Sequence, residues 1–357
     1  MRRAGLCALL ASSVLAACNM APEYREPASA VPERFDAEGD AAGARSVSGL
    51  GWEEFFGDPQ LKRLIALALE NNRDLAASVA RVQQARALYR IQGAEQLPAV
   101  GVGAGASRNQ APLSVLDPEI GASTASVIYN QYNVQAALST FEIDFWGRVA
   151  NLTEAARRRY LATFEAERAF RIALIANVAA TYYAILAGQE GADLASHTLE
   201  ARRYGLEIAT LRLGAGVTSL ADYDQAAILV TQAQSQLADL QRLSEQLANR
   251  LMILVGRPIP DELPGRRAIR DAGQYPLLAA GLPSDLLTRR PDILQAEHQL
   301  RAADADIGAA RAAYFPRIAL TGNVGYASPA LDSLLESNRR AWTVAGAVGL
   351  PLFVGGG

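Results

Sequence analysis

Two residue types that carry much of protein chemistry are almost missing from this 357-residue chain, which has two histidines and two cysteines. His197 and His298 stand in separate helical runs. The nearest acid, Glu297, is adjacent to His298 and so on another helical face, which leaves no metal-ligand set. No nucleophile motif or phosphate loop occurs. Gly101-x-Gly103-x-Gly105 sits in a strand-like alternation with no helix after it, which rules out a dinucleotide fingerprint. The expectation is a protein that catalyses nothing and holds no cofactor or metal. Net charge is small, at −3, so the basic footprint of a nucleic-acid binder is lacking. Proline is missing too, from Pro118 to Pro258.

That proline-free stretch organises the chain. From Arg148 to Leu213 it is rich in Ala, Leu, Arg and Glu, which favour helix. Leu152, Ala155, Ala156, Leu161 and Phe164 recur at helical spacing. A helix of that length is roughly 100 Å long at about 1.5 Å per residue. Gly214-Ala215-Gly216 breaks it, and a second run spans 219–255 before Gly256-Arg257-Pro258. The predicted element is a long helical hairpin over 148–255.

The N-terminus reads as a targeting segment over residues 1–17. Arg2 and Arg3 precede an apolar run, Ala4 to Ala17, too short to cross a bilayer. It closes on Leu15-Ala16-Ala17-Cys18, which resembles a bacterial lipobox and marks Cys18 for acylation; Asn19 rather than Asp then directs the protein to the outer membrane. Cys7 leaves with the signal and the Cys18 thiol is consumed, so no disulfide forms within the mature chain. Residues 18–57 form the anchor and an extended tether, ending in an aromatic docking point at Trp52-Glu53-Glu54-Phe55-Phe56.

Asp58-Pro59 starts a helix predicted to run to about Gln96, with 58–98 as the first-repeat helical segment. After Leu97-Pro98 the period changes from that of a helix to that of a strand. Val100, Val102, Val134 and Leu138 fall on an apolar face, against small or polar residues on the other. The phase slips near Phe141-Glu142-Ile143-Asp144, which predicts a bulge or the strand leaving a membrane. Residues 99–147 read as a hairpin whose strands are long enough to cross a bilayer. A Pro-rich segment, 256–283, leads to a second helix over 284–317 and a second alternating hairpin over 318–357, with Leu320 and Val324 on the apolar face and Thr321 opposite. Trp146, Trp342, Tyr129, Tyr132 and Tyr326 suit an interfacial belt, and core packing accounts for each equally well. Helix, Pro and strand recur at an offset of 218, with Asp74 and Pro98 answered by Asp292 and Pro316. The second copy stops where the first begins its long helical hairpin. The expectation is that the natural chain continues past Gly357 with that second hairpin.

Ordered motifs carry a family resemblance. They are the lipobox with Ala21-Pro22-Glu23-Tyr24, Trp52-Glu53-Glu54-Phe55 with Asp58-Pro59-Gln60-Leu61, and Phe141-Glu142-Ile143-Asp144-Phe145-Trp146-Gly147-Arg148. With them stand the turn Arg212-Leu213-Gly214-Ala215-Gly216-Val217-Thr218-Ser219 and, most specific, Leu282-Pro283-Ser284-Asp285-Leu286-Leu287-Thr288-Arg289-Arg290-Pro291-Asp292-Ile293. The chain resembles the TolC-like outer-membrane factors of tripartite efflux pumps, nearest the NodT/OprM lipoprotein branch. Val354 departs from an Asp before the terminal glycines, and Ala221 from a usual Leu. The resemblance implies a mainly α fold with β. Long antiparallel helices form a periplasmic α-barrel, and two hairpins per protomer contribute to a trimeric twelve-stranded outer-membrane barrel. It implies a passive exit duct. Residues 212–219 would dock a periplasmic adaptor, an inner-membrane pump of RND type would feed the duct, and Asp222 would latch the periplasmic entrance against the absent hairpin; for Asp222 the residues alone allow a solvated first-turn acid equally. Another class, a lipid-anchored coiled-coil adaptor, is separated by the repeated strand pairs, which an adaptor does not need.

Overall fold

The computed structural model describes residues 19–25, 45–46, 50–112, 125–260, 269–271, 278–279 and 288–353. In chain order the elements are β1 (Arg45–Ser46), α1 (Trp52–Phe55), α2 (Pro59–Asn71), α3 (Arg73–Ala94), β2 (Val100–Pro112), β3 (Ser126–Ile143), α4 (Arg148–Gly214), α5 (Leu220–Val255), β4 (Leu278–Ala279), α6 (Pro291–Ala312), β5 (Arg317–Ser328) and β6 (Arg340–Gly349). They fall into two compact units. One comprises residues 1–27, 84–162 and 297–357; the other comprises 28–83 and 163–296.

The first unit holds a four-stranded antiparallel sheet in the order β2-β3-β5-β6. Its register explains the alternation in the sequence. Val100, Leu138, Gly322 and Val344 lie in one row across the strands, and Val102, Ala136, Val324 and Trp342 in another of the same face. Gly101, Ala137, Asn323 and Thr343 form a row of the opposite face. The β3–β5 register shifts between Leu138 and Phe141. With a period of two, Phe141 and Ile143 would otherwise sit on the small-residue face. The irregularity sets them opposite Leu320 and Ile318, so the apolar face continues to the strand end.

The corner from β3 into α4 uses nearly every residue of its motif. Glu142 accepts both a 2.8 Å bond from Arg148 Nε and a 2.7 Å bond from Nη2. The Asp144 carboxylate accepts from Ala150 N at 2.7 Å, satisfying a backbone donor of the first helical turn. Gly147 takes φ 73°, a left-handed conformation that favours glycine. Trp146 stacks on Phe315 with centroids 4.6 Å apart and donates Nε1–H to Pro316 O at 3.0 Å. Trp146 is thus held at the corner, while Trp342 is 70% exposed on the apolar face of the sheet.

In the second unit, α2 and the chain after it pack on α4 and α5. The core contains Leu61, Leu64, Ile65, Leu174, Val178, Tyr182, Leu186, Leu251 and Val255. The apolar stretch of α4 is long enough to cross a membrane by composition, but here it supplies this core. Asp58 caps α2 by accepting from Gln60 N at 2.8 Å, and its other oxygen accepts from Tyr182 Oη at 2.7 Å. The aromatic docking point forms as expected: the Phe55 and Phe56 rings meet edge to face, and Trp52 and Phe55 pack on the core.

Two expectations need correction. The helix from Pro59 is not continuous, because Asn72 is extended (φ −63°, ψ 126°) between α2 and α3. Its Oδ1 accepts from Leu75 N and its Nδ2 donates to Leu254 O, both at 2.8 Å, so one side chain starts α3 and ties it to α5. Gly256, at φ 78°, ends α5 against this break; a Cβ there would come within 2.3 Å of Asn71 O. The second-repeat helix breaks at Arg290, since the residue before proline avoids helical angles, and α6 opens with Pro291 at its first position. Within the extended tether, β1 pairs in parallel with β4 of the Pro-rich segment.

Candidate functional site

The turn between α4 and α5 is built from two helix caps placed back to back. Val217 N donates to Arg212 O and Gly216 N to Leu213 O, both at 3.0 Å, the paired bonds of a Schellman ending with Gly216 at φ 69°. Three residues on, Ser219 caps α5. Asp222 N donates to Ser219 Oγ at 3.2 Å, and Asp222 Oδ2 accepts from Ser219 N at 3.1 Å, completing a capping box. Only Val217 and Thr218 lie between the caps, so the turn is short and internally satisfied.

All of the residues 212–219 and Asp222 lie together at this one helical end. Arg212, Gly214, Ala215, Gly216, Val217, Ser219 and Asp222 are exposed; Leu213 and Thr218 are half-buried. The structure adds Leu211 and Leu220, which with Val217 are 63–72% exposed. These three large apolar side chains cluster at a polar helix end. Leu211 is missed in the sequence because it fits the helical periodicity; the signal was its place one residue before Arg212, with Val217 and Leu220 following in the turn.

Gly214 and Gly216 differ in kind. Gly216 needs its left-handed backbone. Gly214 does not, and a Cβ there would meet nothing within 4 Å. Within the described chain no packing requires a glycine at 214.

Asp222 is engaged by its own helix. Oδ2 also accepts from Ser219 Oγ at 2.7 Å and from Thr218 Oγ1 at 2.9 Å. The Ser219 hydroxyl above all, then Thr218, holds the Asp222 carboxyl below its ordinary range. All three bonds use one oxygen.

Cys18, and with it the lipidation site, lies outside the described residues, as do Val354 and most of the segment around Pro283. Of that motif, residues 288–293 are described, and two of them, Arg290 and Asp292, face each other. They form a two-bond ion pair at the start of α6, which holds Asp292 below its ordinary pKa. His197 is exposed beside Glu200.

A family model described as Outer membrane efflux protein matches residues 64–257 and 282–357. The chain is similar to Outer membrane protein OprJ of Pseudomonas aeruginosa, with 38% identity over 356 residues, 99% of this chain and 72% of that protein. It is similar to the Toluene efflux pump outer membrane protein TtgI of Pseudomonas putida, 40% identical over 98% of this chain and 74% of that one. The open-state crystal structure of the MtrE outer membrane channel of Neisseria gonorrhoeae superposes with a TM-score of 0.79 at 35% identity, covering 95% of this chain and 74% of that chain.

Proposed function

The chain belongs to the outer membrane efflux protein family, and from that premise we propose how it works as the outer-membrane channel component of an efflux pump. The observation that carries the reading is the sheet of the first unit. Four strands alternate an apolar with a small or polar face, and β2 and β6 are open edges. A bilayer admits β-structure only when every edge is closed. We read the sheet as one third of a twelve-stranded barrel shared by three copies. Val100, Val102, Val134, Leu138, Leu320 and Val324 face lipid, while Gln135, Thr321 and Asn323 face the lumen. The helices α4 and α5 then continue the duct into the periplasm, and solute passes through without chemistry.

The turn at 212–219 is proposed as the docking end for a periplasmic adaptor, fed by an inner-membrane pump of RND type. The exposed Leu211, Val217 and Leu220 and the unneeded small size of Gly214 support close approach by another chain. Asp222 can cap α5 through Oδ2 and still offer a latch through its other oxygen. Cys18 is proposed to carry the lipid that anchors the protein to the outer membrane. The toluene relative suggests apolar organic solutes as the first substrates to test.

Edge pairing tests the barrel. A cysteine at Gly103 on β2 and one at Ala345 on β6 should form disulfides between copies in intact outer membranes. The expected products stop at a covalent trimer. A ladder that stops at dimers, or the absence of any intermolecular product with both thiols reactive, would refute the shared barrel.

A further inference from the structure

We propose that the outer end of the sheet binds an anionic, phosphate-bearing lipid of the outer leaflet, through Arg108 and Arg340 on the two edge strands. This rests on the reading of the apolar face as lipid-facing. All the residues involved lie within the sheet-bearing unit.

The face can be followed row by row. Side chains alternate along a strand, so the apolar face carries the even-numbered residues of β2, β5 and β6, and of β3 up to Leu138. Among the described residues of that face, Arg108 and Arg340 are the charged ones. Both are exposed, and among the described residues neither has a hydrogen-bond or ion-pair partner. They also stand at the same end of the sheet. β6 opens with Arg340 and then presents Trp342, Val344 and Val348 on this face. β2 presents Val100 and Val102 before it reaches Arg108. That end lies away from the corner where β3 passes into α4, so in the duct it faces outside.

The neighbours fix the depth. A charge on a lipid-facing position is costly at the midplane, and the cost fades at the headgroups. Tyr326 stands opposite Arg340, and Tyr132 lies one same-face row farther out on β3. Tyrosine and tryptophan favour that same headgroup level. Asp332 of the β5–β6 connection lies beside Asn130 and Tyr132, over the middle strands, which leaves the edges to an anion. Glu336 of the same connection pairs with neither arginine.

Closing the barrel sets β6 of one copy beside β2 of the next. Each seam then carries Arg340 from one copy and Arg108 from the other, so neither copy completes the site by itself. Arginine suits phosphate because its planar fork donates two bonds at once. Inward of the arginines, Trp342, Val344 and Val102 are exposed and give the acyl chains of the same lipid molecule an apolar surface. A headgroup with net negative charge gains from this arrangement, and a zwitterionic one does not.

Trp342 is a built-in reporter, being one same-face step inward of Arg340. The protein extracted from outer membranes is placed in phosphatidylcholine vesicles, and the fluorescence of the wild type less that of Trp342→Phe isolates this tryptophan. Brominated acyl chains quench a tryptophan that they touch. A bilayer made wholly of brominated phosphatidylcholine should therefore quench Trp342. As a minor component of an unbrominated host, brominated phosphatidic acid should quench it at least about fivefold more efficiently than brominated phosphatidylcholine, the preference that one arginine near a headgroup layer supplies. Arg340→Gln and Arg108→Gln should each lower that preference, and the double variant should abolish it. Arg317→Gln, at the opposite end of the sheet, should keep it. Heat-resistant oligomer reports folding, and if Arg108→Gln does not assemble, Arg340→Gln decides the matter. No quenching by the fully brominated bilayer would overturn the lipid-facing reading and the site with it. Quenching without headgroup preference, or a preference that survives in Arg340→Gln and in the double variant, would overturn the site alone. Loss of the preference in excess inorganic phosphate at constant ionic strength would reassign the arginines to a free anion and likewise overturn it.

Discussion

Tyr182→Phe removes one oxygen from a dry place. Tyr182 is 0% exposed and Asp58 1%, and the phenol donates to Asp58 Oδ2 at 2.7 Å. Hydrogen bonds to a charged group are worth about 1.5–3 kcal/mol, and a carboxylate oxygen left buried recovers little of that from water. Asp58 keeps the Gln60 N bond through Oδ1, so the α2 cap survives. The loss is then confined to the link between α2 and α4. It should appear as local opening, since the pair joins two elements within one unit. At 1.4 kcal/mol per factor of ten, amide exchange in residues 61–68 and 178–186 should accelerate by roughly tenfold to a hundredfold. Hydrogen exchange read by mass spectrometry on the detergent-solubilised protein measures it. Asp58→Ala should cost more, through the lost cap, and the double variant should fall short of the sum because both changes remove one shared bond. If Tyr182→Phe leaves exchange within about twofold, or if the two changes simply add, the pair is not the tie between α2 and α4.

Three other outcomes follow from the same geometry. Leu320→Lys should impair assembly in the outer membrane, a charge at the lipid-facing midplane costing about 2–4 kcal/mol, while Thr321→Lys should be tolerated; equal yields of heat-resistant oligomer from both would reverse the faces. Gly214→Leu should fold as well as the wild type yet lose export, because a Cβ there meets nothing within 4 Å among the described residues; normal dye efflux by this variant would remove the turn from the docking surface. The Asp222 cap has a sign in pH. Its carboxyl is held below the ordinary aspartate value of 3.8, so its contribution is complete above that pH and disappears as pH falls through the depressed folded value. Amide exchange at the start of α5 should rise only there, and Asp222→Asn should flatten the profile; a transition centred above 3.8 would contradict it.

The legibility of this fold follows its periodicities. The strand faces and the two ends of α4 were readable because side-chain alternation and glycine punctuation are local signals. The slip near Phe141 was readable as a phase change, though it begins earlier, after Leu138. Asn72 was not readable. Asn71, Asn72 and Asp74 are only a weak local signal in a helical run, and the bond that fixes the break runs to Leu254 O, which is remote in sequence. Much of the Phe141–Arg148 motif, which carries the resemblance, proves to build a corner. Leu211 shows the opposite limit, since it fits the helical periodicity and only the structure shows it 70% exposed among the described residues.

The most direct test of the duct is to plug it. On the lipobox reading the mature chain has no free thiol, so Thr321→Cys and Leu320→Cys each introduce a unique one. A maleimide carrying a long polymer chain is added to cells whose export depends on this protein, and efflux of a fluorescent dye is followed. If solute passes through the barrel lumen, modified Thr321→Cys cells lose efflux in proportion to labelling, and Leu320→Cys cells keep it. Complete labelling at Thr321→Cys with undiminished efflux would mean that solute does not pass through this sheet.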